Sequence, residues 1–408
     1  MAVKVVDIFG NDTMKIVEVS MSEPIPVNPE IMRWARETAG YSIEDVVDKI
    51  KRKHVTVEVI QDWENGNASP SYSQLEKLAY KIFKRPLALF FFPEPPEEET
   101  PWQSFRTLPG QEIDRMKPAM LHLIREAMAL RENLKELYDN ANPAKHKIFI
   151  DIEIKSSDSV SIVAKEVRKY LESNLNEQYA LQSDDDALKY WRNLLEEHGI
   201  FIFKDAFKDD EISGFCLYDD VFPIIYINNS QAKSRQIFTH FHELAHLLFR
   251  TGGVDSKHDD FVQKMSGSNK QIEVFCNKFA GEFLVPSEDV QQYLHNKSID
   301  DNLLSTLAKK YSVSREVILR KCLDLGNVSQ AFYESRVREW DTESPGNNKS
   351  SSGGDYYRTQ KTYLGDRYIE TSFSKYYQGV ISKSQLSDYL GIKEDKVLKF
   401  EDTVLSRS

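Results

Sequence analysis

Cysteine is scarce in this chain. Three residues (Cys216, Cys276, Cys322) lie far apart among 408, with no Cys-x-x-Cys pair. That pattern argues against a disulfide framework and for reduced thiols in a cytoplasmic protein. Long apolar runs are missing too. The strongest, LALFFF at 87–92, falls far short of the ~20 residues that span a bilayer, so it reads as a buried core segment and no membrane partner is expected. The opening MAVKVVDIFGNDTMKIVEVS lacks a signal-peptide layout. Positive charge is in deficit, with 53 Lys and Arg against 64 Asp and Glu and a formal charge of −11. This argues against nucleic-acid binding through bulk electrostatics but leaves room for a local basic surface. What is present suffices for cores: 40% hydrophobic and 11% aromatic residues. The length exceeds one compact core at ~100–200 residues per domain, which implies two to four units.

The pattern along the chain divides it. Residues 1–25 alternate weakly around a Gly10-Asn11-Asp12 turn signal and predict a short hairpin. Residues 26–92 hold successive amphipathic stretches with Ser42 and Thr56 as N-caps and Gly40 and Gly66 as stops, a compact five-helix unit. Residues 93–180 begin with the linker-like PEPPEEE and continue as a helical connector. It contains a long amphipathic helix over 115–140, a strand over 146–154 (HKIFIDIEI) and a helix near 157–173. Residues 181–340 carry a helix over 184–198, strands within 199–229, a helix over 231–249, a polar loop RTGGVDSKHDD, and a helix over 270–284 that stops at Val285-Pro286. Short helices follow. Residues 341–355 are a flexible linker by composition and 356–408 a small helical unit. Helix-turn-helix-like spacing occurs three times, at 42–64, 303–323 and 382–401, without a repeat of the residues.

The chemistry concentrates in RQIFTHFHELAHLLF. His242 and His246 are four apart, so a helix presents both imidazoles on one face, a turn apart. Two such nitrogens can hold one tetrahedral Zn²⁺ at ~2.0–2.1 Å. Glu243 occupies the position of the carboxylate that takes a proton from the attacking water in His-Glu-x-x-His peptidases. The apolar flanks predict a dry helix beside a sheet. His240 sits about 200° around the helix from His242 and reads as a core or surface histidine. A third ligand must come from elsewhere. Glu273, which opens IEVFCNKFAGEFLVP, competes with Asp255, Asp259 and Asp260, while Glu282 lies about 180° from Glu273. His258 and Tyr226 are candidate oxyanion donors by residue type alone.

IFTHFHELAHLLF followed by Glu273-x-x-Cys276-Asn277-x-Phe279-Ala280-Gly281 and Leu284-Val285-Pro286 resembles the ImmA/IrrE family of metallopeptidases. Cys276, Gly281 and Val285 depart from the family pattern by small or apolar swaps. The resemblance implies an α+β zincin-like domain in a multi-domain, mainly α chain. It also implies zinc bound by His242, His246 and Glu273, with Glu243 as general base. The expected activity is that of a zinc metalloendopeptidase acting on a protein substrate, such as a transcriptional repressor. The 356–408 segment resembles the small helical tail of longer family members.

Residues 31–92 resemble an XRE-type helix-turn-helix, through Ala35-Arg36, Ser42-Ile43-Glu44, Trp63-Glu64-Asn65-Gly66, Pro70, Leu75 and Leu78-Ala79. That resemblance implies a DNA-binding regulator with double-stranded DNA as a partner. Thr56 and Gln61 would face bases, and Lys51, Arg52 and Lys53 phosphates. Between Asn28 and Arg85 there are ten basic and nine acidic residues, so the unit is nearly neutral. The alternative to a peptidase is therefore a regulator, or a toxin–antitoxin component, whose peptidase-like domain senses a ligand or partner.

Overall fold

The computed structural model describes residues 23–98, 116–207, 209, 211–256, 267–295, 297–343 and 355–405. Most of the hairpin expected over 1–25 and of the linker expected over 341–355 lies outside these residues. The chain forms two compact units, one of residues 1–100 with 115–124 and one of residues 101–114 with 125–408.

In the first unit, α1 (Pro29–Thr38) starts at Asn28, whose side chain accepts from the Glu30 N–H, with proline at the first helical position. A reciprocal Ser42–Asp45 capping box opens α2 (Ile43–Ile50). Thr56 is the N-cap residue of α3 (Val57–Asn65), which ends at Gly66 with φ 77°. α4 (Tyr72–Glu76) runs on as a π-helical stretch Lys77–Phe83, followed by a 3₁₀ turn Leu87–Phe91. Ile31, Ala35, Val46, Ile60, Trp63, Leu78 and Phe83 share one core. The LALFFF run departs from its expected burial. Phe90 is enclosed, whereas Phe91 and Phe92 are 43% and 45% exposed. In a 3₁₀ turn residues three apart share a face; Phe90 turns fully inward and Leu87 and Leu89 pack partly against the core.

The second unit is mostly helical around a small mixed sheet. Before the sheet come α5 (Pro118–Leu137, in this unit from Arg125 onward), a single turn α6 (Ile148–Asp151), α7 (Val160–Tyr170), α8 (Leu175–Ala180) and α9 (Asp184–Glu197). α6 overturns the strand expected over 146–154. Ile148, Phe149, Ile152 and Ile154 still reach the core, but through one helical turn that leaves Ile150 40% exposed. A short apolar run satisfies either geometry, and among the described residues no strand pairs with it to fix the extended one.

The strands β1 (Phe201–Asp205), β2 (Ile212–Leu217) and β3 (Ile224–Asn228) are rich in β-branched and aromatic residues. Next come α10 (Lys233–Leu248), β4 (Gly253–Ser256), α11 (Gly267–Leu284), α12 (Ser287–Leu294), α13 (Asp301–Tyr311), α14 (Arg315–Asp324) and α15 (Gln330–Glu343). The helices α16 (Tyr356–Leu364), α17 (Asp366–Tyr377), α18 (Lys383–Leu390) and α19 (Val397–Leu405) complete the described chain. No helix among the described residues is long and apolar enough to cross a membrane.

The sheet order is β1-β3-β2-β4, with β1 parallel to β3 and β2 antiparallel to both β3 and β4. β4 falls within the stretch read as a polar loop. Glycine and aspartate are poor strand formers, and pairing with β2 overrides that preference. Alternation divides the sheet faces. Ile202, Cys216, Ile225 and Ile227 join the core shared with α9, α10 and α11. On the other face, Tyr226 stacks on Phe215 at 5.2 Å and Phe203 meets Tyr368 of α17 edge-on at 5.3 Å. The carboxyl-terminal helices are fastened there: Arg192 donates to the carbonyls of Thr362 and Leu364, and Asn133 donates to the Tyr368 hydroxyl.

Candidate metal centre

α10 is buried along almost its whole length, from Gln236 to Leu248. It carries polar groups into a core, which costs free energy unless those groups are paired or used. α11 packs along it through small residues, Cys276 and Ala280, both fully buried. Phe241 and Phe283 stack at 4.1 Å between the helices, and Trp191 of α9 meets Phe241 edge-on at 5.0 Å. These contacts fix how far apart the two helices stand.

Against that frame His242, His246 and Glu273 come together, with one ligand atom from each lying within 4.8 Å of the others. His242 Nε2 is 3.4 Å from Glu273 Oε2, His246 Nε2 is 3.2 Å from Glu273 Oε1, and the two Nε2 atoms are 3.2 Å apart. All three side chains are at most 2% exposed. Asn277, one turn beyond Glu273, lies 3.1 Å through Oδ1 from His242 Nδ1. An Nδ1–H donated to that oxygen leaves Nε2 with a free lone pair aimed at the cluster, the outer-shell arrangement common to metal-bound histidines. On β4, a Cβ at Gly253 would sit 2.4 Å from the His246 ring, so the strand's approach to that imidazole requires glycine.

The electrostatics call for positive charge. Burial opposes ionisation of His242, but Asp255, Glu273 and Glu243 outweigh it and raise its pKa to about 9. Burial likewise opposes ionisation of Glu273, yet His246 and His242 hold its carboxyl well below the usual range. Two imidazole nitrogens and a carboxylate oxygen form a donor set suited to a borderline divalent cation. The residues present therefore fit a metal.

Glu243 is fully buried, and neither carboxylate oxygen has an N–H or O–H partner among the described residues; the weakly donating Cys216 thiol faces it. Burial pushes its pKa up to about 7, with His246 and His242 opposing and Asp255 adding to the rise. A base poised there suits proton transfer near neutral pH.

Other expected residues fall elsewhere. Asp255 accepts from Arg235 Nη2 at 2.7 Å and Thr239 Oγ1 at 2.8 Å, outside the three-residue cluster. Asp259, Asp260 and His258 lie outside the described residues. Tyr226 faces the sheet's other side, so it does not face the cluster. Glu282 pairs with Lys321 at 2.6 Å. His240 is a fully buried core histidine bonded through Nδ1 to the Gln236 carbonyl. In the first unit, Lys51, Arg52 and Lys53 are exposed between α2 and α3, as are Thr56 and Gln61 on α3. Glu58 and Asp62 share the exposed side of α3 with Gln61. Asn277 and Gly253 went unassigned in the sequence. The i, i+4 spacing does place Asn277 on the face of Glu273, without giving it a role, and no local signal marks Gly253.

A mixed sheet backed by a helix pair gathers two histidines and a glutamate into a cluster that could hold a metal ion. Residues 195–323 match the Peptidase M78 family model, described as an IrrE N-terminal-like domain, which supports the ImmA/IrrE family for this region. A search of curated proteins finds no match to the chain.

Proposed function

We propose that the chain is a zinc-dependent endopeptidase with a regulatory role, cutting a protein substrate such as a transcriptional repressor in the cytoplasm. The observation that carries this reading is the convergence of His242, His246 and Glu273 beside a buried Glu243 that has no N–H or O–H partner among the described residues. His242, His246 and Glu273 would hold the zinc. When bound, the ion supplies Lewis acidity that polarises a peptide carbonyl and makes a water easier to deprotonate. Glu243 takes that water's proton on a carboxylate oxygen and passes it to the leaving amine nitrogen as the C–N bond breaks. Asn277 keeps His242 in the tautomer whose Nε2 faces the cluster. The surrounding apolar side chains exclude bulk water and strengthen each of these interactions.

A comparison of new protein N-termini in cells carrying the native chain or Glu243→Gln tests the proposal. The variant should retain stoichiometric zinc and generate none of the native cleavages. Cleavage undiminished in the variant would sink the mechanism.

A second reading rests on the first unit. Its exposed Lys51, Arg52 and Lys53 beside α3 suit an XRE-type helix-turn-helix contacting phosphates, with Thr56 and Gln61 toward bases. In that case the chain is a DNA-binding regulator, or a toxin–antitoxin component, whose peptidase-like domain is sensory or weakly active. Glu58 and Asp62 on the same helix would weaken phosphate binding. Salt-dependent, sequence-specific duplex binding without proteolysis would favour this reading over the first.

A further inference from the structure

The two histidines of the metal centre are held in different ways. His242 has Asn277 Oδ1 behind its Nδ1 at 3.1 Å. The Nδ1 of His246 is buried and makes no hydrogen bond among the described residues. A metal-bound imidazole ordinarily gives its second nitrogen to an acceptor that fixes the ring. The His246 ring is therefore oriented by packing. What lies against it is the backbone of β4 at Gly253, where a Cβ would run into the ring. The position of β4 thus sets the position of the imidazole.

The pairing of β4 with β2 is short, and glycine, aspartate and serine are poor strand formers. Asp255 supplies a second attachment. Strand alternation sends Gly253 and Asp255 to the same face, toward α10. There the Asp255 side chain is 2% exposed, with Oδ2 2.8 Å from Thr239 Oγ1 and Oδ1 accepting from Arg235 Nη2 at 2.7 Å. Arg235 Nε also donates to Ser213 Oγ at 2.9 Å. Ser213 is the unmatched residue of a bulge in β2, which re-aims its side chain. Gly214 lets Thr239 come this close: a Cβ there would stand 2.6 Å from Thr239 Cγ2. Thr239 and His246 lie two turns apart on one face of α10. Asp255 thus fastens β4 to the helix face that carries the ring Gly253 touches.

We propose that Asp255 is a positioning residue for the metal centre: it anchors β4 to α10, and through Gly253 that anchor orients His246 toward the metal. Asp255 itself stays outside the ligand set. The inference rests on metal binding by His242, His246 and Glu273, not on proteolysis.

Zinc competition with a chromophoric chelator on the full chain tests it, with the visible bands of the cobalt-loaded protein as a second readout. Asp255→Ala should weaken zinc binding about tenfold, within the range for lost outer-shell support, and shift the cobalt bands. Arg235 is 26% exposed, so water can replace the lost carboxylate and the fold should persist. Thr239→Val removes only the hydroxyl. It should weaken binding severalfold, and it carries the test if Asp255→Ala does not fold. Gly253→Ala drives a methyl against the ring and should weaken binding more than either. With Asp255→Ala added, a loosened β4 can yield to that methyl, so the combined loss should fall short of the product of the single losses. Variants that melt earlier but keep native zinc affinity and cobalt bands, or losses that simply multiply, overturn the proposal. A native chain that binds no zinc overturns the metal reading and this inference with it, whereas native binding matched by the variants overturns this inference alone.

Discussion

Glu64 and Glu243 are both interior glutamates, and the two regions that hold them treat a buried charge in opposite ways. In the first unit Glu64 is 5% exposed and accepts from Arg36 Nε at 2.7 Å and Nη2 at 2.9 Å, with Arg33 at 3.7 Å. Its charge is neutralised in a two-point geometry that ties α1 to α3. In the second unit Glu243 has no such partner, and nearby His246 and His242 point their Nε2 atoms toward Glu273 instead. A carboxylate buried without compensation is a poor way to hold a fold together. The contrast separates a residue kept for structure from one kept for chemistry, and each side of it can be broken.

The largest effect is expected at Glu243. Glu243→Gln should lower peptide cleavage by roughly 10²–10⁴-fold, the usual worth of a positioned acid–base group. Thermal unfolding should show no loss of stability, because no partner is left stranded. A marked drop in melting temperature would move Glu243 into the structural class with Glu64. Next comes Asn277→Ala, which frees the His242 Nδ1–H. Zinc affinity, measured by competition with a chromophoric chelator, should fall about 10–100-fold while the fold persists. Unchanged affinity would show that packing alone orients His242. On the structural side, Glu64→Gln should destabilise the first unit by about 2–3 kcal/mol, below the range for fully buried pairs because Arg36 retains some access to solvent. Denaturant unfolding followed through the tryptophans of that unit measures it, with metal content unaffected.

These predictions mark where the sequence was informative. The His242–His246 pair is legible because an α-helix repeats every 3.6 residues, so four-residue spacing alone places both rings on one face. Glu273 is not legible that way. Its meeting with the histidines depends on how α10 and α11 pack, and a separation of 27 positions from His246 leaves that open. Its place on a helix ranks it above Asp255 in the loop, and the resemblance adds to that; the Arg235 and Thr239 contacts that occupy Asp255 are tertiary. Gly253 has the same origin: a glycine after a helix reads as a loop until the His246 ring is found against it. HKIFIDIEI misled because alternating apolar residues fit one helical turn as readily as a strand when the run is short. Of the two N-caps expected in the first unit, Ser42 acts through bonds within its own helix's opening turn, whereas Thr56 starts α3 without a side-chain cap bond.

The smallest effect sharpens the comparison with a third buried group, His240, which bonds to the Gln236 carbonyl and lies outside the cluster. Burial, aided by Lys204, lowers its pKa to about 3 from 6.5. Above pH 6.5 the ring is neutral in both the folded and unfolded chain and contributes no pH dependence. As pH falls from 6.5 toward 3, the unfolded chain takes up a proton that the folded chain refuses, so His240 costs stability at about 1.4 kcal/mol per pH unit. Glu243 acts with the opposite sign. Its folded pKa of about 7 exceeds the ordinary value of 4.5, so the folded chain gains stability on acidification between those values. The two slopes offset each other between pH 6.5 and 4.5. His240→Leu removes one of them, and metal-free protein carrying it should lose less stability on acidification than the native chain across that window. Equal slopes for the two proteins, measured by denaturant unfolding at stepped pH, would mean that His240 takes up its proton without unfolding.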